Sequence, residues 1–107
     1  MKSIIYSMAV AGLMVAGSAT ATSMPPLARS NGCTACHSID HKIVGPAWKD
    51  VSKKYKGVAG AEAKLIAKVS KGGSGVWGKV PMPGMDPAGK KQDAIKKLVE
   101  FILALDK

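Results

Sequence analysis

Apolar residues recur at helical spacing in several separate stretches of this chain. The clearest lies near the C-terminus. Ile95, Leu98, Val99, Ile102 and Leu105 fall on one stripe and predict an amphipathic helix from about Lys90 to Leu105. Ala61 to Lys71 carries Leu65, Ile66 and Val69 on one face, and Lys71-Gly72 supplies a basic last turn with a glycine beyond it. Ala47 to Lys56 predicts a lysine-rich helix in which Trp48, Val51, Ser52 and Tyr55 share a side, with Gly57 as the stop. A brief helix is expected over Leu27 to Asn31, ended by Asn31-Gly32, then a helical turn over Cys33 to His37. Ile39 to Gly45 reads as loop, closed by Gly45-Pro46. No stretch alternates with the period of a strand, so the fold class is all-α.

One segment breaks this pattern. "GGSGVWGKVPMPGMDPAG", residues 72–89, holds too much glycine and proline for a regular element. Yet Val76, Trp77, Val80, Met82 and Met85 make it less polar than a solvated linker. An apolar loop must lie against something.

The N-terminus has a different logic. Lys2 is followed by the uncharged apolar run "IIYSMAVAGLMVAG" and then by Ala19-Thr20-Ala21. That is the three-part pattern of a secretory signal peptide, so residues 1–21 are expected to be cleaved and the protein exported. The other reading is an uncleaved anchor. Ser7, Gly12, Gly17, Ser18, Thr20 and Thr22 dilute the run, and no stop-transfer charges follow. No cysteine stands at the cleavage site to take a lipid. Residues 22–107 then form a single domain, without stable membrane insertion. A domain so small has a thin core and often needs a crosslink, metal or cofactor.

Formal net charge is +9, and Lys2 is the only cation in the leader. A basic balance suits nucleic acid, anionic lipid or an acidic protein. Export argues against nucleic acid. So does the presence of one arginine, Arg29, among the 16 cations, because arginine is the usual reader of phosphates and bases. Aromatics are too few for a base-stacking platform. An acidic protein partner fits better.

The chemistry concentrates in "GCTACHS", residues 32–38, which holds both cysteines of the chain. Two cysteines this close cannot staple a domain as a disulfide, since the loop they would close is tiny. C-x-x-C-H is the attachment signature of c-type haem. On a helical turn Cys33 and Cys36 share a face, where each can add to a vinyl group. His37 lies close enough to that face to reach the iron. A redox dithiol needs only C-x-x-C and expects a strand before it, which is missing. A structural zinc site needs a fourth ligand, and His41 is the only other histidine. Haem attachment is the reading that fits best, with zinc and a dithiol as alternatives.

A haem iron has two axial positions, and His37 fills one. His41 follows four residues later on the same side and suits a solvated role. Met1, Met8 and Met14 leave with the leader, and Met24 is in the N-terminal lead, which leaves Met82 and Met85. A loop methionine is ordinarily core filling. But Pro81 and Pro83 flank Met82, restrict φ on both sides and remove two backbone donors. That stiff presentation favours Met82.

With these motifs in order, the chain resembles the small bacterial class I cytochromes c, the short periplasmic monohaem carriers of c551/c552 type. The resemblance covers about residues 27–105 and rests on "GCTACHS", "VGPAWKDVSKKYKG", "GGSGVWGKVPMP" and the final helix. It implies a four-helix fold wrapped round one haem c with His/Met ligation. Cys33 and Cys36 would carry the thioethers, with His37 and Met82 axial. The carbonyl of Pro46 would accept a hydrogen bond from the proximal imidazole, and the Trp77 indole would reach a haem propionate. Lys68 stands where the family often has an arginine near a propionate. Met85 stands where relatives often have an asparagine bonded to the ligand sulfur, and the loop after Met82 is about three residues longer. Phe101 matches an aromatic that packs near Gly32.

The expected function is therefore electron transfer rather than catalysis. A periplasmic monomer would shuttle one electron between redox proteins with acidic docking surfaces, such as a donor and a nitrite reductase or terminal oxidase. A peroxidase-like or disulfide-exchange enzyme would need an open iron position or a free dithiol. A gas sensor would need the methionine to leave.

Overall fold

The computed structural model describes residues 22–106; the expected signal peptide, residues 1–21, lies outside them. Four α-helices follow one another: α1 (Pro26–Ser30), α2 (Trp48–Tyr55), α3 (Ala61–Lys71) and α4 (Gln92–Leu103). A 3-10 turn at Cys33–Ala35 links α1 to the first loop. Among the described residues there is no strand, only the isolated bridges His37–Lys42 and Gly73–Met82. The all-α expectation holds. The helix expected over Ala61 to Lys71 has those bounds, and the others shift at their ends by one or two residues, where frayed turns blur any boundary.

α1 begins at Pro26, whose missing N–H costs a helix nothing in its first turn. It ends where the Asn31 amide nitrogen, Nδ2, donates to Leu27 O at 2.8 Å. α3 starts after Gly60 and stops at Gly72, whose N–H donates to Lys68 O at 2.7 Å. Gly72 takes φ +75, a value that disfavours every other residue.

The core is the stripe expected of α4. Ile95, Leu98, Val99 and Ile102 are buried, packed with Ala28, Ile39, Trp48, Val51 and Leu65. Each such side chain removed from water contributes roughly 1.5–3 kcal/mol. α4 lies across α3 and α2 and also touches α1. Trp48 lies between the Cys33–His37 turn and α4. Its ring is 6.0 Å from that of His37 and meets Phe101 edge-on at 5.9 Å. Phe101 is thus placed by Trp48. Ser52, buried in α2, donates to Leu103 O (3.2 Å) and accepts from the Asp106 N–H (3.0 Å), fastening the chain's end to α2.

Candidate functional site

The Cys33–His37 turn is built from its own backbone. Cys36 N–H and His37 N–H both donate to Cys33 O, at 3.2 and 2.9 Å. This closes the turn and brings Cys33, Cys36 and His37 to one cleft. The two cysteines are not joined to each other. Burial pushes the Cys33 thiol above its ordinary value, against a smaller lowering from its backbone hydrogen bond. A redox dithiol needs the opposite, a thiolate favoured near neutral pH.

Residues 38–46 hold the imidazole from behind. Gly45 N–H donates to Cys36 O at 2.8 Å, and Trp48 N–H to Ser38 O at 2.9 Å, so the loop folds back over the turn. His37 Nδ1 donates to Pro46 O at 2.8 Å. A carbonyl only accepts, so the proton is on Nδ1 and Nε2 keeps its lone pair for a metal. Gly45 lies against the ring. A Cβ there would stand 2.9 Å from both ring nitrogens, closer than real contacts allow. The Pro46 acceptor is the one the resemblance implies, whereas in the sequence Gly45 marks only the end of a loop. The glycine's contact with the ring joins residues eight apart and has no periodic signature.

Met82 comes from the long loop. Its N–H donates to Gly73 O at 2.8 Å and its carbonyl accepts from Gly73 N–H at 3.0 Å. Pro81 and Pro83 have no N–H to compete for partners. The pairing draws the loop onto the end of α3, where Gly72 and Gly84 allow backbone to touch backbone. A Cβ on Gly84 would stand 2.8 Å from Lys71 O, and one on Gly72 would stand 2.6 Å from Gly84 N. Met85 N–H and Asp86 N–H then donate to Val69 O (2.9 Å) and Ser70 O (3.1 Å).

Both methionines line the cleft that holds Cys33, Cys36 and His37, and so do Pro46, Trp77 and Lys68. The structure therefore brings every candidate site residue to one place. Leu65, Val69, Leu98, Val99 and Ile102 supply apolar lining from α3 and α4. Val76, Trp77 and Val80 give the apolar loop a surface to lie against, the cleft rather than the core. They are 47, 41 and 64 % exposed and face this cleft. The Lys54 ammonium lies over the Trp77 ring, 5.5 Å from its centre, a cation–π contact that no spacing in the sequence signals. His41 is exposed, away from the cleft lining.

A planar apolar group fits these residues. Two thiols, an imidazole and two thioethers line one cleft, and most of the other side chains in the lining are aliphatic or aromatic. Among the described residues no group of three or more His, Cys, Asp or Glu could hold a bare metal ion, which leaves the zinc alternative without ligands.

A small helical protein with these donors round one apolar cleft belongs to the class that holds haem covalently. Comparison with known proteins makes that specific. The cytochrome c family model matches residues 25–106. Cytochrome c-551 of Allochromatium vinosum is 50 % identical over 98 residues, 92 % of this chain and all of that protein. Cytochrome c-551 of Pseudomonas aeruginosa is 41 % identical over 100 residues, covering 94 % of this chain and 93 % of the other. The crystal structure of Nitrosomonas europaea cytochrome c552 superposes with a TM-score of 0.69 at 41 % identity, covering 75 % of this chain and 96 % of that one. The chain belongs to the cytochrome c family, and within it is similar to the c-551 and c-552 proteins. It binds one covalent haem c and carries electrons to or from other redox proteins. Among the described residues no helix is long and apolar enough to cross a membrane.

Proposed function

We propose that this chain is a periplasmic, monomeric electron carrier of a respiratory chain. Residues 1–21 direct its export and are removed. Cys33 and Cys36 form the thioethers, and His37 and Met82 are the axial ligands. The observation that carries this reading is that an imidazole bonded to Pro46 O and a methionine whose backbone is paired with Gly73 line one cleft with both cysteines.

The haem, when bound, supplies the one-electron couple. The chain supplies the rest. The Pro46 hydrogen bond sets the imidazole's tautomer and leaves Nε2 as the donor. The backbone pairing of Met82 holds a soft, neutral thioether at the cleft, where it would be the second ligand. A haem held by His37 and Met82 would have a raised potential and no open position for substrate. The apolar lining excludes water and keeps the environment similar in both redox states. Trp77 and Lys68, which line the cleft, would pair with acidic groups of the haem. Lysine in place of the family's usual arginine offers a point charge rather than a bidentate fork.

The exposed lysines Lys49, Lys53, Lys54 and Lys79 suit a donor or acceptor with an acidic docking surface, such as a nitrite reductase or terminal oxidase. A visible spectrum of the periplasmic protein tests the reading. Six-coordinate low-spin signatures in both redox states, with the weak long-wavelength sulfur-to-iron band of the oxidised form, are expected. A high-spin ferrous form that binds carbon monoxide at once would overturn it.

A further inference from the structure

The loop that follows Met82 ends in a buried carboxylate with an unusual number of ties. Asp86 is 6 % exposed. Its Oδ1 accepts from Lys90 N–H at 2.7 Å. Its Oδ2 accepts from Lys91 N–H and from Gln92 Nε2, both at 2.8 Å. Gln92 Nε2 also donates to Ser70 Oγ at 2.9 Å, and Ser70 Oγ donates to Ile66 O at 2.6 Å. The same aspartate's N–H bonds Ser70 O. The last turn of α3, the methionine loop and the start of α4 therefore meet at this one residue, α4 through its carboxylate and α3 through its N–H and through Gln92.

We propose that Asp86 is a positioning residue for Met82: its carboxylate ties the methionine loop to the start of α4 and, through Gln92, to Ser70 of α3, and so keeps foreign ligands off the iron. The inference rests on the axial role proposed above for Met82. A buried carboxylate persists only when its acceptor positions are filled, and here the donors come from the elements that must be held together. A thioether is a weak, neutral ligand. Its hold on a metal depends on how few other conformations the loop can reach. Upstream, the loop is pinned at Gly73; downstream, the fixed point is Asp86. Removing that carboxylate leaves the loop held to α3 by the backbone bonds of Met85 and Asp86 alone, strips the Lys90 and Lys91 amides of their acceptor and leaves the Gln92 amide with only Ser70 Oγ.

A ligand that binds only when the methionine has left gains apparent affinity in proportion to the open fraction. Imidazole added to the oxidised holoprotein is such a probe. Asp86→Ala is expected to bind it at least about tenfold more tightly than the parent, from the loss of charge-assisted hydrogen bonds. Asp86→Asn keeps one amide oxygen as acceptor and should fall between. Gln92→Leu cuts the Ser70 tie and should show a smaller rise. Asp93→Ala removes an exposed acid of α4 and should match the parent. Ser52→Ala loosens the distant tie to the C-terminus and should lower stability without changing imidazole affinity.

If Asp86→Ala does not accumulate as holoprotein, Asp86→Asn and Gln92→Leu decide. Parental imidazole affinity in the Asp86 variants that fold and in Gln92→Leu overturns the proposal, as does an equal rise in Ser52→Ala. Met82→Ala separates the two readings. If it binds imidazole strongly while the Asp86 variants do not, only the positioning role fails. If Met82→Ala keeps the sulfur-to-iron band and parental affinity, the axial reading itself fails.

Discussion

Gly45 lies against the imidazole of His37, with both ring nitrogens 2.9 Å from where a Cβ on residue 45 would stand. The contact leaves no room for a methyl group, because the ring is held from the next residue by the Pro46 carbonyl. Gly45→Ala must tilt the ring or push the loop away. Overpacking of this kind costs about 1–3 kcal/mol. Denaturant unfolding of the holoprotein should show a lower midpoint. The reduction potential should move as well, since the Pro46 hydrogen bond sets the donor strength of the imidazole. An alanine variant with parental midpoint and potential would mean that the loop yields without disturbing the ring.

The two methionines are expected to differ. Met82 has both backbone groups paired with Gly73, whereas Met85 is pinned through its N–H to Val69 O. Met82→Ala should abolish the weak long-wavelength band of the oxidised protein and lower the potential. Met85→Ala should keep the band. The absorption spectrum and a potentiometric titration of both variants decide. A band that survives Met82→Ala would show Met85 swinging in to replace it.

Electron transfer with an acidic partner should slow as salt rises, because charges are screened beyond about 8 Å at physiological ionic strength. Within the lysine group the structure makes a distinction. Lys49 already pairs with Asp40 at 2.6 Å, and Lys54 lies over Trp77. Lys53→Ala and Lys79→Ala should therefore lower the second-order rate more than Lys49→Ala does, by up to a few-fold each. Stopped-flow rates at two ionic strengths measure this.

Asp86 also gives an acid limb to stability. Burial would raise its pKa, but hydrogen bonds from Gln92, Lys91 and Lys90, with the charge of Lys91, outweigh that and hold it below the ordinary 3.8. A carboxylate with a depressed folded pKa stabilises the fold above its unfolded value and loses that contribution as pH falls through the folded one. The parent should therefore lose stability as pH drops below about 3.8, more steeply than Asp86→Asn, which has no carboxylate there to protonate. Unfolding midpoints of the two proteins at successive acidic pH values compare the slopes.

The sequence by itself determined the parts whose cause is local. The stripe of Ile95, Leu98, Val99 and Ile102 specifies α4, because a helix repeats every 3.6 residues and water penalises its apolar side. Cys33, Cys36 and His37 come together because hydrogen bonds to Cys33 O close one turn. Pro81 and Pro83 stiffen Met82 through covalent geometry alone. What only the tertiary structure decided joins residues distant in the chain. Asp86 is one carboxylate in a polar turn until α3 and α4 bring Ser70 and Gln92 to it. Gly45 is a loop glycine until the chain folds back on the His37 ring. Trp77 pairs with Lys54 across 23 positions. None of these has a period or a motif, since each depends on where two elements cross, and that is set by the packing of the whole core.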